Sequence, residues 1–358
     1  MKVKVIGAGS IGCHMAHASR KCGWDVVMTD IDPLALERAK NEIFPTRYGT
    51  WYPEIEFLKT NEQDNYSYDI VIVGTPPTTH LEIAMQEFKN KPRAILIEKP
   101  LSQPDLKFLD DFLVKVTNSK TKCFVGYDHA VSESCIKLSQ MLLASKTEIV
   151  ETIDVEFKES WDGILAAHSW LKGPEDSYLG YTSKGGGALC EHSHGLNLWQ
   201  HFARTLKLGR ISEVSAKCQM IQEGDLHYDK IVSLNLITEK GYLGRCVQDM
   251  FSKPTSKLVS IQTFDQGNFT WKCEAQQGRD LIKHEHRGTI ETREFPKTRP
   301  QDFITELRHI EKCLNYENID SPIDVMRGVE TMCVISAGLE SAKTGKTILV
   351  NYPNNIRS

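Results

Sequence analysis

Near the start of the chain the run VKVIGAGSIG sets Gly7, Gly9 and Gly12 between an apolar stretch, Lys2–Ile6, and a helical pattern over residues 11–22. Each glycine has its own use in that context. Gly7 permits the tight turn, Gly9 lets the backbone come close to a pyrophosphate, and Gly12 lets the helix pack on the strand. The free N–H groups of the first helical turn, around Ser10 and Ile11, face the phosphates. A second apolar strand, 25–29, runs into VVMTDIDP, where Asp30 lies eighteen residues beyond Gly12. A carboxylate there accepts hydrogen bonds from the adenosine ribose hydroxyls and repels a 2′-phosphate, which favours NAD over NADP. A glycine-rich turn opening an unrelated α/β domain would not need that acid, and Asp32 reads as a turn or helix-start residue.

Beyond this βαβ unit, residues 69–73, 93–97 and 122–125 are near-continuous apolar runs, the pattern of parallel strands covered on both faces. Helical patterns over 33–42, 78–89 and 103–116 separate them. After Gly126 the rhythm changes. A strand over 148–157, a Gly- and Ser-rich loop and a helix near 190–206 precede several strand candidates between 211 and 294, among them 230–238 and 258–264, with no βαβ alternation. Helices are expected over 300–316 and about 322–343. The expected fold is an α/β Rossmann domain over 1–125, followed over 126–358 by an α+β domain with a large, mostly antiparallel open sheet. The last helix is expected to pack back on the first domain.

A length of 358 residues accommodates two such domains without staples. The formal net charge of -4 supplies no positive field to hold a polyanion, so nucleic acid is excluded as a partner. Ten cysteines without a CxxC pair fit a reducing compartment. With no signal segment at the start and no apolar run approaching membrane-spanning length, the expected location is the cytoplasm, with no membrane partner. No serine-histidine-acid set in a strand-turn-helix context supports a hydrolase.

The third and fourth apolar strands end in GTPPTTH (74–80) and IEKPL (97–101), the second domain carries GGGALCEHSHGLN (185–197), and the C-terminal region reads DVMRGVETMCVISAGLESAKTGKTI. In these four ordered segments the chain resembles the Gfo/Idh/MocA oxidoreductases, a family that contains glucose-fructose oxidoreductase and inositol dehydrogenase. Ligands of open α/β sheets bind beyond the carboxyl ends of the strands, which places Thr75, Pro76 and the Glu98-Lys99-Pro100 turn at the nicotinamide end. Position alone leaves two readings for Lys99, a solvated surface group or a catalytic one. The family's EKP lysine contacts substrate and takes part in proton transfer, so the resemblance implies the second. Glu98 sets the lysine, helps fix the cofactor, or is an ordinary solvated acid, and Pro100 fixes the turn. His80 satisfies a backbone group or approaches the cofactor, the structural role being favoured.

In the second domain Glu191, His194 and Asn197, three apart on one expected helix, share a face and reach one cleft. His194 matches the family's histidine and is the expected partner of Lys99, either exchanging the hydroxyl proton or holding the reacting oxygen. The alternative for His194 is an interface histidine without chemistry, which is the favoured reading of His192. The sequence departs from the family in Glu191, where aspartate is usual, in Gly195 and Asn197 of HGLN, and in Asp128 and Ala130, where VGFNxRF has asparagine and arginine. Losing that arginine argues against an anionic-substrate mode. Residues 161–180 supply Trp161, His168, Lys172 and Tyr178, flat faces and polar groups suited to a sugar or cyclitol, or equally to a domain core. Zinc is not expected. His192 and His194, next to Cys190, diverge on a helix, and the other His-x-His pair is His284 with His286.

The resemblance thus implies an NAD-dependent oxidoreductase acting on a secondary hydroxyl or keto carbon of a sugar, sugar derivative or cyclitol, with catalytic Lys99, His194 and Glu191. It also implies a homodimer or homotetramer formed through the open sheet. Two alternatives stand beside it: a nicotinamide-binding regulatory protein without turnover, and a sugar-modifying enzyme with tightly bound, internally recycled NAD.

Overall fold

A computed structural model describes residues 1–59, 66–166, 168, 170–274 and 277–353. The chain forms two units. One comprises Met1–Ser102, Lys107–Asp128 and Arg299–Val325, the other Gln103–Leu106, His129–Thr298 and Met326–Ser358.

The first unit is built on six parallel strands: β1 (Lys2–Ile6), β2 (Asp25–Asp30), β3 (Glu56–Lys59), β4 (Ile70–Val73), β5 (Ala94–Ile97) and β6 (Lys122–Val125). Their order is β3-β2-β1-β4-β5-β6, so the chain reverses direction across the sheet between β1 and β4. β4 and β5 are buried at every position, as continuous apolar runs between two helical layers require. β3 escaped sequence reading because EFLK is a short edge strand with no fully buried residue. The helix expected over 33–42 is helical as Pro33–Arg38, then widens through Ala39–Ile43 into Phe44–Tyr48. The helix expected over 103–116 begins only at Leu109, after Leu106 and Phe108 take positive φ of 58° and 66°, a region an α-helix cannot contain.

Val325–Thr344 is a helix and, apart from Val325, belongs to the second unit; Arg299–Val325, with its helix Gln301–Asn315, joins the first unit. Apolar spacing identifies both helices and does not say which neighbour each one covers.

The second unit carries β7 (Val150–Lys158), β8 (Ile211–Glu223), β9 (Leu226–Thr238), β10 (Leu243–Asp249), β11 (Ser256–Thr263), β12 (Gly267–Glu274), β13 (Arg279–His286), β14 (Thr289–Pro296) and β15 (Ile348–Leu349). They form one sheet in the order β14-β13-β12-β11-β7-β10-β9-β8-β15. Among the described strand pairs of this sheet, β7–β10 alone is parallel. Along β7 Ile153, Val155 and Phe157 are buried on one face while Asp154 and Glu156 alternate onto the other. The polar face carries the pairs Arg245 with Asp154 (2.6 Å), Ser260 with Asn268 (3.0 Å) and Lys272 with Glu274 (2.7 Å). The apolar face is covered in part by the helix His194–Thr205, which approaches so closely that a Cβ at Gly195 would lie 3.0 Å from the Phe157 ring. The departure at Gly195 therefore has a packing cause. No helix among the described residues is long and apolar enough to cross a membrane.

Candidate active site

The glycine motif folds as its residue types require. Gly7 takes φ +105°, and a Cβ there would lie 2.6 Å from the Gly74 carbonyl oxygen; a Cβ at Gly12 would lie 1.8 Å from the Gly7 carbonyl oxygen. Gly9 has nothing within 4 Å of its Cβ position, so the backbone is open to a ligand at the one glycine assigned to pyrophosphate. The helix Ser10–Lys21 starts there, with Gly9 as N-cap and no side chain capping its N–H groups. Those donors suit an anion. Ile11 leans on Gly74.

Asp30 ends β2 as expected. Its Oδ2 accepts the Ala8 N–H at 2.7 Å and its Oδ1 the Asp32 N–H at 2.9 Å, which fixes the carboxylate beside the glycine turn. Asp32 caps the next helix by accepting the Leu34 N–H at 3.0 Å.

At the carboxyl ends of β4 and β5 lie the two loops that the family motifs named. Thr79 Oγ1 stands 2.8 Å from Thr75 Oγ1 and 2.9 Å from the Pro76 carbonyl oxygen, closing the first loop on itself. The imidazole of His80 is buried between the Thr75 and Pro100 carbonyl oxygens, at 2.6 and 2.9 Å. It satisfies backbone groups. In the second loop the Lys99-Pro100 peptide is cis and Lys99 is half-buried.

Glu98 is not a solvated acid. It is 6% exposed, its Oε1 has no hydrogen-bond partner, and a Cβ on Gly126 would lie 2.6 Å from its Oε2. Burial pushes its pKa up to about 8; Lys99 opposes the rise, Asp128 adds to it, and its backbone hydrogen bond and Arg299 oppose it further. A carboxyl in this state is partly protonated near neutrality and can donate as well as accept.

In the second unit the single helix expected to carry Glu191, His194 and Asn197 is two. Gly187–Glu191 ends before His192 and Ser193, and His194–Thr205 begins anew. The common face therefore does not extend from 191 to 197. Glu191 Oε2 accepts the Tyr178 hydroxyl at 3.2 Å. Asn197 is buried and donates to Thr331 Oγ1 at 3.3 Å, which ties it to the helix Val325–Thr344. His194 stands edge-on to His129, ring centroids 5.0 Å apart, and lies over Phe157 at 6.5 Å. His192 is buried, and its carbonyl accepts the Gln248 amide at 2.5 Å.

His129 is the residue that sequence reading passed over. It is buried against Phe157, Trp271 and His194. Its signal was in plain view, a histidine inside VGYDHAV between the two positions that were compared with the family pattern. Asp229, also unforeseen, accepts the Leu189 N–H and the Thr182 hydroxyl beneath the glycine-rich segment.

Each of the expected substrate residues has partners of its own. Trp161 is buried against Tyr228, centroids 4.9 Å apart, with Nε1 lacking a partner. His168 holds the Ile164 carbonyl oxygen at 2.6 Å and packs on Trp170. Lys172 is exposed, its backbone N–H bound to Asp176. His284 stacks on Phe269 at 4.0 Å, and its Nε2 lies 2.8 Å from the Gln266 carbonyl oxygen.

A parallel sheet in this order, with its glycine turn, uncapped helix start and strand-end acid, defines a dinucleotide-binding domain. Residues 1–127 match the model of the GFO_IDH_MocA family, described as "Oxidoreductase family, NAD-binding Rossmann fold". No curated protein sequence matches the chain. Among solved structures, an NAD binding oxidoreductase from Klebsiella pneumoniae superposes with a TM-score of 0.76 at 14% identity, covering 99% of this chain and 100% of that one. Levoglucosan dehydrogenase in complex with NADH and levoglucosan gives 0.75 at 15%, covering 98% and 99%. The WlbA dehydrogenase from Bordetella pertussis, in complex with NADH and UDP-GlcNAcA, gives 0.71 at 16%, covering 98% and 99%. At these identities the likeness is one of fold, and it extends over both units.

Proposed function

We propose that the protein is an NAD-dependent dehydrogenase acting on a secondary hydroxyl, or the corresponding keto carbon, of a sugar, sugar derivative or cyclitol. The observation that carries this reading is the first unit's cradle: open backbone at Gly9, uncapped N–H groups at the helix start, and an Asp30 carboxylate fixed at the end of β2. These groups fit the pyrophosphate and the adenosine ribose of NAD, and the fixed negative charge disfavours a 2′-phosphate. Bound there, NAD supplies the acceptor for the hydride that leaves the carbinol carbon.

The chain's own residues supply alignment and proton handling. Lys99 takes the hydroxyl proton as the carbinol C–H bond breaks and returns it in the reverse direction. Glu98, buried beside it, holds the lysine's turn. His194 holds the reacting oxygen, and Tyr178 with Glu191 binds a neighbouring hydroxyl. Sugar and nucleotide-sugar ligands in structures of the same fold support the substrate class. The polar open face of the nine-stranded sheet is suited to pairing with a second copy of the chain as a dimer or tetramer, and ten free cysteines suit the cytoplasm.

The test is absorbance at 340 nm with NAD⁺ and a panel of sugars, sugar derivatives and cyclitols. Turnover with at least one polyol, abolished by Lys99→Met while NADH still binds, is expected. Normal turnover by Lys99→Met overturns the role of the lysine. Absence of turnover across the panel, together with NADH binding, favours the regulatory alternative.

A further inference from the structure

The helix His194–Thr205 ends at a cavity of about 200 Å³ that lies wholly within the second unit. Trp199, Ala203 and Ile211, all buried, give it an apolar floor. Four cations line it: Arg204 in the last turn of the helix, Lys207 and Arg210 in the loop that follows, and Lys240 in the turn between β9 and β10. None of them belongs to the glycine turn, to the loops after β4 and β5, or to the segment carrying Glu191 and His194.

Two acids share the walls, and an arginine engages each. Arg204 Nη2 lies 2.8 and 2.7 Å from the two carboxylate oxygens of Glu330, a buried residue of the helix Val325–Thr344. Arg210 donates to Glu239 Oε1 from Nε at 3.2 Å and from Nη2 at 3.1 Å, and its guanidinium lies 4.7 Å over the Tyr352 ring. The two lysines are left over, since among the described residues neither is paired with a carboxylate. Lys240 Nζ donates to the Lys207 carbonyl at 2.7 Å, which answers the negative end of the helix without consuming the charge. The cavity therefore holds a surplus of two positive charges.

The walls are also fixed in advance. Lys207 N–H donates to the Arg204 carbonyl at 2.9 Å and Leu208 N–H to the Ala203 carbonyl at 2.8 Å, which closes the loop on the helix end. Arg204 bonds Glu330 through Nη2 alone and keeps donors at Nε and Nη1. Fixed guanidinium donors, two lysine charges and an apolar floor in so small a space match a phosphoryl dianion on a small body.

We propose that this cavity binds a phosphoryl dianion, as inorganic phosphate or as the phosphate monoester of a small molecule. Lys207 and Lys240 supply the charge, Arg204 supplies directed N–H donors, and Trp199, Ala203 and Ile211 receive the body of an ester.

The test is isothermal titration calorimetry of the full chain at constant ionic strength with inorganic phosphate, with glycerol 3-phosphate and, as the neutral counterpart, with glycerol. Saturable binding with a Kd below about 1 mM is expected for at least one of the two phosphates and none for glycerol. The tighter of the two identifies the source of the phosphoryl group. Lys207→Gln combined with Lys240→Gln keeps side-chain reach and removes both charges, and is expected to weaken binding at least about ten-fold at an unchanged melting temperature. Gly9→Ala is expected to leave this binding as it is, which separates the cavity from the glycine turn. Absence of saturable binding by either phosphate overturns the proposal. So does binding that the double lysine variant leaves intact, or binding that Gly9→Ala removes.

Discussion

Asp229 on β9 accepts the Leu189 N–H at 2.7 Å through Oδ2 and the Thr182 hydroxyl at 2.8 Å through Oδ1. The same carboxylate is the wall on which Gly187 turns at φ +82°, since a Cβ there would lie 1.9 Å from Oδ1. One buried acid thus shapes the segment that leads to Glu191 and His194. Asp229→Ala strands a buried N–H and a hydroxyl and is expected to cost about 1–3 kcal/mol, read as a lower urea midpoint. An unchanged midpoint would show that the loop holds its shape without the acid.

The pH dependence of that acid has a definite sign. Burial raises Asp229 from 3.8 to about 6, with the Leu189 amide and the Thr182 hydroxyl opposing. The folded chain therefore holds this proton more tightly than the unfolded one. Its contribution to stability is complete below the ordinary aspartate range and is lost as pH rises through about 6. Asp229→Asn is expected to flatten the stability curve between pH 4 and pH 6, and a variant with the same slope as the unaltered protein would contradict this.

Glu98 gives the same sign over a higher window, since burial raises it from 4.5 to about 8. Its contribution falls as pH rises from the ordinary glutamate range through about 8. Glu98→Gln keeps the shape and removes the charge, so relative to the unaltered protein it gains stability at pH 8 and not at pH 5. Parallel denaturation at the two pH values measures the difference; an equal offset at both contradicts the assignment.

The three glycines of the turn are not equivalent. Gly12→Ala forces a methyl to 1.8 Å from the Gly7 carbonyl oxygen and is expected to unsettle the first unit itself, lowering its melting temperature. Gly9 has ordinary backbone angles, φ -76° and ψ -167°, and open space at its Cβ position. Gly9→Ala is therefore expected to fold with stability within about 1 kcal/mol of the original while binding NADH at least about ten-fold more weakly, because the methyl occupies the approach to the pyrophosphate. Tight NADH binding by a well-folded Gly9→Ala protein would place the pyrophosphate elsewhere.

Asp30 is the residue through which cofactor preference is expected to act. Asp30→Ser removes the fixed charge beside the glycine turn and is expected to raise the NADPH-to-NADH affinity ratio at least about ten-fold, measured by fluorescence titration of both nucleotides. A ratio that does not move would assign the preference to other residues.

Much of the first unit was legible because its signals are local. Lys2–Ile6 and Lys122–Val125 were placed to the residue by apolar runs, and the glycine turn, Asp30 and the strand-end loops follow from chain order. β3 was not legible, being four half-exposed or exposed residues at an edge. In the second unit the spacing 191-194-197 assumed one helix, and the break at His192–Ser193 removed the shared face.

The sequence by itself determined the dinucleotide turn, its acid and the lysine at the end of β5, since each depends on residues within one strand, turn and helix start. Tertiary structure alone decided what surrounds them. It buried Glu98 over Gly126, set His80 between the Thr75 and Pro100 carbonyls, brought His129 to His194 and placed Asp229 under Gly187. It also assigned Arg299–Val325 to the first unit. Such contacts join segments far apart in the chain, where period and propensity carry no information. What they change is desolvation and hydrogen bonding, the two effects that decide whether a buried acid is charged.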